Sequence, residues 1–459
     1  MKMTKKLVMA AVAFAALSLS ADTYTWSGGD GDFTELSNWT LASTGSAPAV
    51  LPGNGDNVVL PNAEASYTVT SAQPFSIGSL TMGGGTGAGA PTLSFENGLS
   101  TNYVAGSVSM ASGSVMTHPA QPGSATVLDY YRVCLVVGGS MTISSGAKID
   151  TISKGFVAGK GPGAGGAKNK QASHGGLSSY AEDNALYTRC YGSIRVPVLP
   201  GSGLGNSGTG YYSGGAIYLV VAGTLENNGT ITSSVADTNT TGYNGSSPGS
   251  VYVRTGTLSG SGSILAKASK YGTAGGGRVA VRQTTARTWS AWSGIISASQ
   301  YSTSGTQAKG SAGTVYLETA ADDEGRGELH VEIYPGSAGA QGYHCAISTS
   351  VDDAEEPFGK VFIGRSAKLL VCPGSTLTVR DGLYCQGTLT ATNGSSVVLV
   401  PAANSTCVVS GDVSFASLQC RAPNAEVAFW EGCTVSILDG GSLDVAGAAG
   451  ANVALKSTS

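Results

Sequence analysis

Four similar phrases in the centre of the chain constrain its fold more than any other feature. Each opens with glycine and then alternates apolar residues with residues of other kinds. The phrases are GGAIYLV (214–220), GSVYVR (249–254), GRVAVR (277–282) and GTVYLE (313–318). Their equivalent residues Ile217, Val251, Val279 and Val315 follow one another after 34, 28 and 36 positions. A repeat of this length predicts a solenoid, in which each turn buries its apolar face against its neighbours.

The composition favours a solenoid built from short strands. The chain has 459 residues, of which 68 are glycine and only 12% are charged. Glycine costs about 1 kcal/mol per residue inside a helix, so long helices are disfavoured. The apolar runs recur too regularly for a disordered chain. Because equivalent positions recur at every turn, like residues should stack on like in parallel strands, and parallel crossovers are right-handed. We therefore predict an all-β chain folded as a right-handed parallel β-helix.

The chain divides into four predicted regions. Residues 1–20 have the features of a signal peptide, namely three lysines, an apolar run and small residues that suit cleavage after Ser20 or Ala21. Residues 21–75 form a predicted cap, in which Trp26 and Trp39 cover the open end of the first turn. Residues 76–345 carry the β-helix, which a glycine-rich loop insertion interrupts at 155–213. Residues 346–459 continue the helix with cysteine-rich turns.

These features restrict the location and the partners of the chain. The signal peptide predicts a secreted or cell-surface protein, with an uncleaved anchor helix as the alternative. No later stretch approaches the roughly 20 apolar residues that cross a bilayer, so we expect no membrane span in the mature chain. The net charge is -4 and the 25 basic residues are scattered, which argues against nucleic acid as a partner. The acidic residues Asp30, Asp32 and Asp56 fit turn chemistry better than calcium binding, so no cofactor is expected and calcium is the alternative.

Eight cysteines leave two interpretations open. Six of them, from Cys345 onward, lie in the last quarter of the chain. In an exported protein they could form disulfides, or they could be small buried residues that stack between turns. No CxxC pair is present, which argues against a zinc site.

The alternation within the four phrases predicts two columns of outward-facing residues. One column contains Tyr218, Tyr252, Ala280 and Tyr316, and the next contains Val220, Arg254, Arg282 and Glu318. Successive strands lie about 4.8 Å apart, so the tyrosines would form a flat strip beside a charged one. Such a surface suits stacking and hydrogen bonding to sugars, and its candidate binding residues are Tyr218, Tyr252, Tyr316, Arg254, Arg282 and Glu318. The alternative is that the strip is packed beneath the 155–213 insertion.

The insertion also holds the candidate catalytic residues. They are His174, Tyr180, Arg189 and Arg195. His174 could act as a general base if Glu182 or Asp183 oriented it, and arginine or tyrosine could serve a lyase that acts on uronates. The alternative for His174 is a loop histidine that hydrogen-bonds backbone carbonyls.

Several motifs together resemble a known group of proteins. GPGAGG, SHGG and VPVLPGSG precede the repeated phrases GGAIYLVVAGTLENNGTITSS and GSVYVRTGTLSGSGSILA. This pattern is similar to that of glycine-rich, uncharacterised bacterial β-helix proteins of the cell exterior, which share their architecture with pectin lyases. The resemblance implies a secreted or surface location but no catalytic residues. We therefore expect a non-enzymatic structural or adhesin-like protein with an extracellular glycan or matrix partner. The alternative is a polysaccharide lyase.

Overall fold

The structure is a computed structural model in which every described element except one short 3-10 helix is a β-strand. It describes residues 21–164, 172–178, 190–205, 213–236, 245–269, 274–299, 310–332, 345–347, 356–391, 394–447 and 449–458. Most neighbouring strands pair in parallel, and the stacked order confirms the predicted parallel β-helix. The described strands fall into two units, 23–318 and 328–458, which an antiparallel strand pair joins.

The first unit has three faces of stacked strands. The first face contains β1 (Thr23–Trp26), β4 (Asn57–Leu60), β7 (Ser79–Met82), β10 (Val108–Met110) and β13 (Met141–Ile143). The second contains β6 (Ser76–Ile77), β9 (Asn102–Val104), β12 (Val133–Val137), the first parts of β15 (Ala216–Asn227) and β17 (Ser250–Ser259), β19 (Arg278–Gln283) and β21 (Thr314–Glu318). The last parts of β15 and β17 continue the first face beyond β13. The third contains β2 (Gly31–Asp32), β5 (Tyr67–Ser71), β8 (Pro91–Phe95), β11 (Val115–Thr117), β14 (Lys148–Asp150), β16 (Thr230–Thr232), β18 (Ser263–Leu265) and β20 (Ile295–Ser297).

The four repeated phrases all lie on the second face, in the register that their alignment predicts. Ile217 is opposite Val251, which is opposite Val279 and then Val315. The first three of these side chains are fully buried in the core of the unit. Because side chains alternate along a strand, the residues between them point away from this core.

The first turn is closed by aromatic residues. Trp39 is 1% exposed and packs edge-on against Trp26, with ring centroids 4.9 Å apart. Trp39 lies on β3 (Trp39–Leu41), which follows the 3-10 helix Leu36–Asn38 and pairs antiparallel with β1. The carboxylates of Asp30 and Asp32 accept hydrogen bonds from the backbone N–H groups of Thr68 and Thr34. Because β1 pairs in parallel with β4, the β-helix already begins within the region predicted as a cap.

The insertion lies along the glycine-lined corner where the later phrases begin. Its described residues, between β14 and β15, contain no strand. The N–H of Gly176 donates to the carbonyl of Gly276 at 2.9 Å. A Cβ atom on Gly175 would lie 2.1 Å from the oxygen of Gly277, and one on Gly176 would lie 2.2 Å from that of Ala312. The GG of the SHGG motif is therefore required because two backbones are in direct contact.

At the junction of the two units, the face of the sheet that lines the core changes. The strand β22 (Glu328–Val331) pairs antiparallel with β21, and Tyr316 is opposite Leu329 while Val315 is opposite His330. Paired residues share a face of the sheet. Val315 borders the first core, whereas Tyr316 and Leu329 both belong to the second core. The outward face of the first unit therefore becomes the inward face of the second.

The second unit also has three faces. The first contains β22, β24 (Phe358–Ile363), the second half of β26 (Thr376–Cys385), β29 (Thr406–Ser410), β31 (Glu426–Trp430) and β33 (Ala454–Thr458). The second contains β23 (Cys345–Ile347), β25 (Lys368–Val371), β27 (Thr388–Ala391) and the first parts of β30 (Val413–Cys420) and β32 (Val435–Val445). The third contains the first half of β26, β28 (Ser396–Leu399) and the last parts of β30 and β32.

The cysteines of the second unit contribute to its core. Cys385, Cys407 and Cys420 are buried among its aliphatic side chains. Burial raises the pKa of the Cys385 and Cys407 thiols to about 11 and about 12. These three residues therefore occupy the stacked, buried positions that one of the two interpretations of the cysteines predicts. Within the described part of the chain, no helix has the length and apolar character of a membrane span.

Candidate functional site

The two predicted outward columns exist, because the strand register stacks their members. Tyr218, Tyr252, Ala280 and Tyr316 occupy one line, and Val220, Arg254, Arg282 and Glu318 occupy the next. The rings of Tyr218 and Tyr252 stack with centroids 5.1 Å apart. The register of these candidate binding residues is thus as expected from the phrases.

Most of the tyrosine column is nevertheless covered. Tyr252 is 3% exposed and Tyr316 is fully buried. They pack with Ile194 of the insertion and with Leu329 and Phe358 of the second unit. Only Tyr218, which is half-buried, retains access to solvent, and the guanidinium of Arg132 lies 5.3 Å from its ring centroid. A sugar could not stack on the faces of Tyr252 and Tyr316, so these two rings serve the junction.

The last two residues of the charged column, Arg282 and Glu318, form hydrogen bonds within the protein. Arg282 donates from Nε and from a terminal nitrogen to one oxygen of Glu318, at 3.0 and 2.7 Å. The other oxygen of Glu318 accepts from the Tyr316 hydroxyl and from the N–H of Gly325. The Tyr316 hydroxyl accepts in turn from the N–H of Gly327 at 2.9 Å. Glu318 therefore fixes the hairpin between the two units, and Arg254 is the exposed arginine of this column.

Arg195 fastens the insertion to both units. Its guanidinium lies 4.0 Å from the ring centroid of Phe358 and 5.7 Å from that of Tyr316. It donates from Nε to the carbonyl of Gly325 and from a terminal nitrogen to that of Glu356, both at 2.7 Å. The residue is 6% exposed. A side chain so fully engaged with backbone carbonyls and aromatic rings is a structural bridge rather than a group free to contact substrate.

His174 is a buried, neutral histidine. It has no exposed surface, its ring lies tilted against that of Tyr191 with centroids 4.4 Å apart, and its Nδ1 donates to the carbonyl of Pro248 at 2.8 Å. Burial, together with the nearby charge of Arg278, lowers the pKa of His174 to about 3. It therefore takes the structural role that its alternative interpretation predicts. Tyr180, Arg189, Glu182 and Asp183 lie outside the described residues.

A different row of aromatic side chains is accessible on the second unit. His330, Phe362 and Tyr384 follow one another in register on β22, β24 and β26, pointing away from the core. Their rings stack with centroids 4.6 and 4.9 Å apart. Trp430, on β31, lies edge-on to Tyr384 at 6.5 Å and is 54% exposed. We call these four residues the aromatic strip.

A second sequence pattern, separate from the four repeated phrases, marks this strip. In each turn of the second unit an outward residue precedes a corner glycine, as in VFIG, LYCQG, VVSG and FWEG. Phe362, Tyr384, Ser410 and Trp430 are the outward residues of these four segments, at intervals of 22, 26 and 20 positions. The aromatic residue in three of the four turns marks a stacked column.

Ion pairs flank the first half of the strip. His330 lies between Glu328 and Glu332, with nitrogen to oxygen distances of 3.2 and 3.4 Å, and Lys360 contacts Glu328 at 3.0 Å. Burial opposes the charge on His330, but its two glutamate partners outweigh this effect and raise the pKa of His330. The hydrogen bond from His330 in turn lowers the pKa of Glu328 to about 2.

Small residues line the second half of the strip. The column beside it contains Glu328, Lys360, Gly382, Val408, Ala428 and Lys456. The ring of Tyr384 leans over Gly382, where a Cβ atom would lie 2.6 Å from the ring. Beyond Ala428, Lys456 forms an ion pair with Glu426. Gly382 and Ala428 are buried and Val408 is half-buried, so this column is largely covered beside Tyr384 and Trp430.

A cleft of about 440 Å³ opens at the end of the first core, between Ile296, Val315, Leu317, His330 and Glu332. Among the described residues, no group of three or more histidine, cysteine or acidic side chains is placed to hold a metal ion. The aromatic strip is a candidate surface because it combines partly exposed rings with neighbouring charged groups.

Comparison of the whole chain with protein-family models, with curated proteins and with solved structures found no match in any of the three.

Proposed function

We propose that the chain is a non-enzymatic β-helix protein of the cell exterior, structural or adhesive in type, that contacts glycans. The aromatic strip carries this proposal, because it presents aromatic rings to solvent beside polar groups on a rigid sheet. Aromatic side chains with polar neighbours supply apolar contact area and directional hydrogen bonds together. This combination suits a sugar, which has apolar C–H faces and hydroxyl edges.

The rigid framework around the strip supports a scaffold role. The insertion, the first unit and the second unit meet at Arg195, Tyr316 and Phe358, all of which are buried. Burial of this kind fixes the relative positions of the elements. A rod of this construction holds its binding surface at a set distance from its other end, as adhesive and matrix proteins require.

Residues 1–20 support location at the cell exterior, because they combine a basic start, an apolar run and small residues. N-terminal sequencing of the protein from the culture medium or the cell envelope tests this part of the proposal. A mature chain that starts at Ala21 or Asp22 is the expected result. A cytoplasmic protein that retains Met1 would contradict it.

A lyase assay tests the non-enzymatic part. Purified protein is incubated with pectate, alginate and other acidic polysaccharides, with and without calcium, and unsaturated products are followed by absorbance at about 235 nm, where the C=C–C=O group formed by β-elimination absorbs. We expect no increase above a heat-denatured control. A calcium-dependent increase would replace the proposal with the alternative, a polysaccharide lyase.

A further inference from the structure

The third face of the first unit ends one strand earlier than the second face. The strands β15, β17 and β19 of the second face are followed along the chain by β16, β18 and β20 of the third face. The sheet of the third face ends at β20, and β21 is followed by the hairpin to β22. Among the described strands, therefore, none occupies the third-face position in the turn that β21 begins.

The inward side chains of the third face show the consequence. One column of aliphatic side chains follows the stack, and the next strand covers each member in turn. The members below the last strand are fully buried, and they are Val69, Leu93, Met116, Ile149, Ile231 and Ile264. Ile296 is opposite Ile264 and remains half-buried. Ile296 is therefore the member of the column that no strand of the described chain covers.

The cleft of about 440 Å³ lies at this position. Ile296 lines it from β20, and the inward residues Val315 and Leu317 line it from β21, all three half-buried. A strand segment of three residues fills roughly 480 Å³, given a length of about 10 Å, a strand spacing of about 4.8 Å and a layer thickness of about 10 Å. The cleft therefore has the size of one three-residue strand opposite β20.

The backbone of β20 offers hydrogen bonds on the side of the cleft. The N–H of Ile295 donates to the carbonyl of Gly262 at 3.0 Å, and the carbonyl of Ser297 accepts from the N–H of Ala266 at 2.9 Å. Ile295 and Ser297 therefore face β18, and because alternate residues of a parallel strand bond to opposite neighbours, Ile296 faces the other edge. No backbone group in the described part of the chain pairs with Ile296 there. Its N–H and C=O are available to a further strand.

The edge of β20 lacks the features that normally prevent strand addition. Exposed edges are protected by charged residues, proline or bulges. The segment SGIISAS (293–299) contains no charged residue and no proline, and Ile295 is 51% exposed. The strand at the opposite end of the same sheet, β2, carries Asp32. Of the two ends of the third face, β20 is the one suited to strand addition.

The geometry favours an extended segment over a folded partner. The site is one strand wide and lies between β20, β21 and β22, so a folded surface cannot enter it. A second copy of this chain would have to open its own sheet, because the third-face strands from β5 to β18 are paired on both edges. An unpaired segment of another polypeptide has no such pairing to break. Glu332, whose side chain is 58% exposed at the cleft, suits a lysine or arginine on that segment.

We propose that this cleft binds an extended segment of another polypeptide as a ninth strand of the third face, parallel to β20. The segment has an aliphatic residue opposite Ile296, small or polar residues beside it and a basic residue near Glu332. The residue before the aliphatic one accepts from the N–H of Ile296, and the residue after it donates to the C=O of Ile296. This inference goes beyond the proposed glycan contact and does not depend on it.

A synthetic peptide tests the proposal. Its sequence is GSGSILAKAS, from residues 260–269, because this segment already pairs with β20 through β18 and carries an isoleucine-centred third-face strand followed by a lysine. Fluorescein-labelled peptide is titrated with the intact protein, and fluorescence anisotropy is measured. We expect saturable binding of one peptide per chain, and no binding of a peptide with the same residues in scrambled order.

Two N-methylated peptides distinguish strand addition from nonspecific apolar contact. In a segment parallel to β20, the N–H of the leucine after the central isoleucine donates to the Ile296 carbonyl, whereas the N–H of the isoleucine itself points away from β20. Methylation at the leucine should weaken binding about fivefold to tenfold, and methylation at the isoleucine should have a much smaller effect. The opposite order would place the segment antiparallel to β20 and overturn the stated register.

A matched pair of protein variants tests the edge of β20. Ile296→Pro removes the N–H that faces the cleft without removing a hydrogen bond to β18, and Ile296→Ala keeps that N–H after a similar loss of side chain. Peptide binding should be about fivefold to tenfold weaker in Ile296→Pro than in Ile296→Ala. Circular dichroism checks that both variants keep the fold. If Ile296→Pro does not fold, Ile296→Ala and the two methylated peptides decide the outcome.

Three results would overturn the proposal. Equal binding by Ile296→Pro and Ile296→Ala, with equal effects of the two methylations, would show that the peptide does not pair with β20. No saturable binding by the wild type would refute the cleft as a strand site. Self-association of the protein that is lost in Ile296→Pro would assign the cleft to a second copy in place of another polypeptide. The lyase assay is independent of all three results, so the proposed function is tested separately.

Discussion

Two outward columns of aromatic residues occupy the same continuous sheet and have opposite environments. In the first unit, Tyr252 and Tyr316 are buried beneath the insertion and the second unit. In the second unit, Phe362 and Tyr384 stack at 4.9 Å on a face that remains in contact with solvent. The antiparallel pairing of β21 and β22 explains the difference, since it places the second core over the first column. Alternation along a strand determines which face a side chain occupies, but the elements packed on that face determine whether a ligand can reach it.

The largest expected effect comes from removing the bridge that covers the first column. Arg195→Ala deletes the hydrogen bonds to the carbonyls of Gly325 and Glu356 and the contact with Phe358. A charged donor contributes about 1.5–3 kcal/mol per hydrogen bond, and the aromatic contact adds to this, so we expect a loss of about 3 kcal/mol or more. The measurement is urea denaturation followed by circular dichroism, read as a decrease in the midpoint concentration.

Arg254→Ala is the matched control for Arg195→Ala. Arg254 is exposed on β17, one strand from Arg282 in the charged column. Its removal should change the stability by less than about 0.5 kcal/mol, as is usual for surface substitutions. Equal losses in the two variants would show that the insertion is not held down at Arg195.

The second prediction concerns three described histidines, His118 and His174 in the first unit and His330 in the second, whose pKa values shift in opposite directions. Burial lowers the pKa of His118 to about 4 and that of His174 to about 3. In the unfolded chain both histidines titrate near 6.5. The stability that each buried neutral ring contributes is therefore complete above that pH and is lost as the pH falls towards 4 and 3. For each histidine, the free energy of unfolding should fall by up to about 1.4 kcal/mol per pH unit below 6.5. Nδ1 of His118 donates to the Pro119 carbonyl and Nε2 accepts from the N–H of Ala216, so protonation of Nε2 would break the second bond.

His330 should respond in the opposite direction. Its glutamate partners raise the pKa of His330 in the folded protein. The stability that its charged form contributes is therefore complete below pH 6.5 and is lost as the pH rises through the pKa of the folded state. Proton NMR titration of the histidine C–H signals, with His330→Gln for assignment, measures both cases. Signals of His118 and His174 should stay in the neutral form at pH 5.5, while that of His330 should already be charged at pH 6.5. A common midpoint near 6.5 would contradict the assigned environments.

The sequence was sufficient to predict the repeat and its register. Glycine at the corners and Val or Ile at alternate positions predict the stacking of Ile217 on Val251 and Val279, and the structure has this stacking. The aromatic cap at Trp26 and Trp39 follows from the same reasoning, because an open end needs large apolar side chains. The covering of the tyrosine column by the insertion was among the stated alternatives.

The exchange of sides at the junction was not predicted, although a signal for it exists. Leu317 and His330 are 13 positions apart, which is too short for another turn at the repeat length of 28 to 36 residues. The acidic, glycine-containing segment between them therefore forms a hairpin, and β22 returns antiparallel to β21. What the sequence cannot give is the covering of Tyr316 by Leu329 and Phe358, because that contact depends on where the second unit packs.

The smallest expected effect compares one tyrosine hydroxyl from each column. In Tyr316→Phe, Glu318 loses a donor and the N–H of Gly327 loses its acceptor inside a buried site. We expect a loss of about 1–2 kcal/mol. In Tyr384→Phe the ring and its stacking on Phe362 remain at a half-buried position, so the change should stay within about 0.5 kcal/mol. Urea midpoints measured side by side decide the comparison. Equal losses would mean that the two columns do not differ in environment, whereas a loss confined to Tyr316→Phe assigns the first column to the fold and leaves the second free for a ligand.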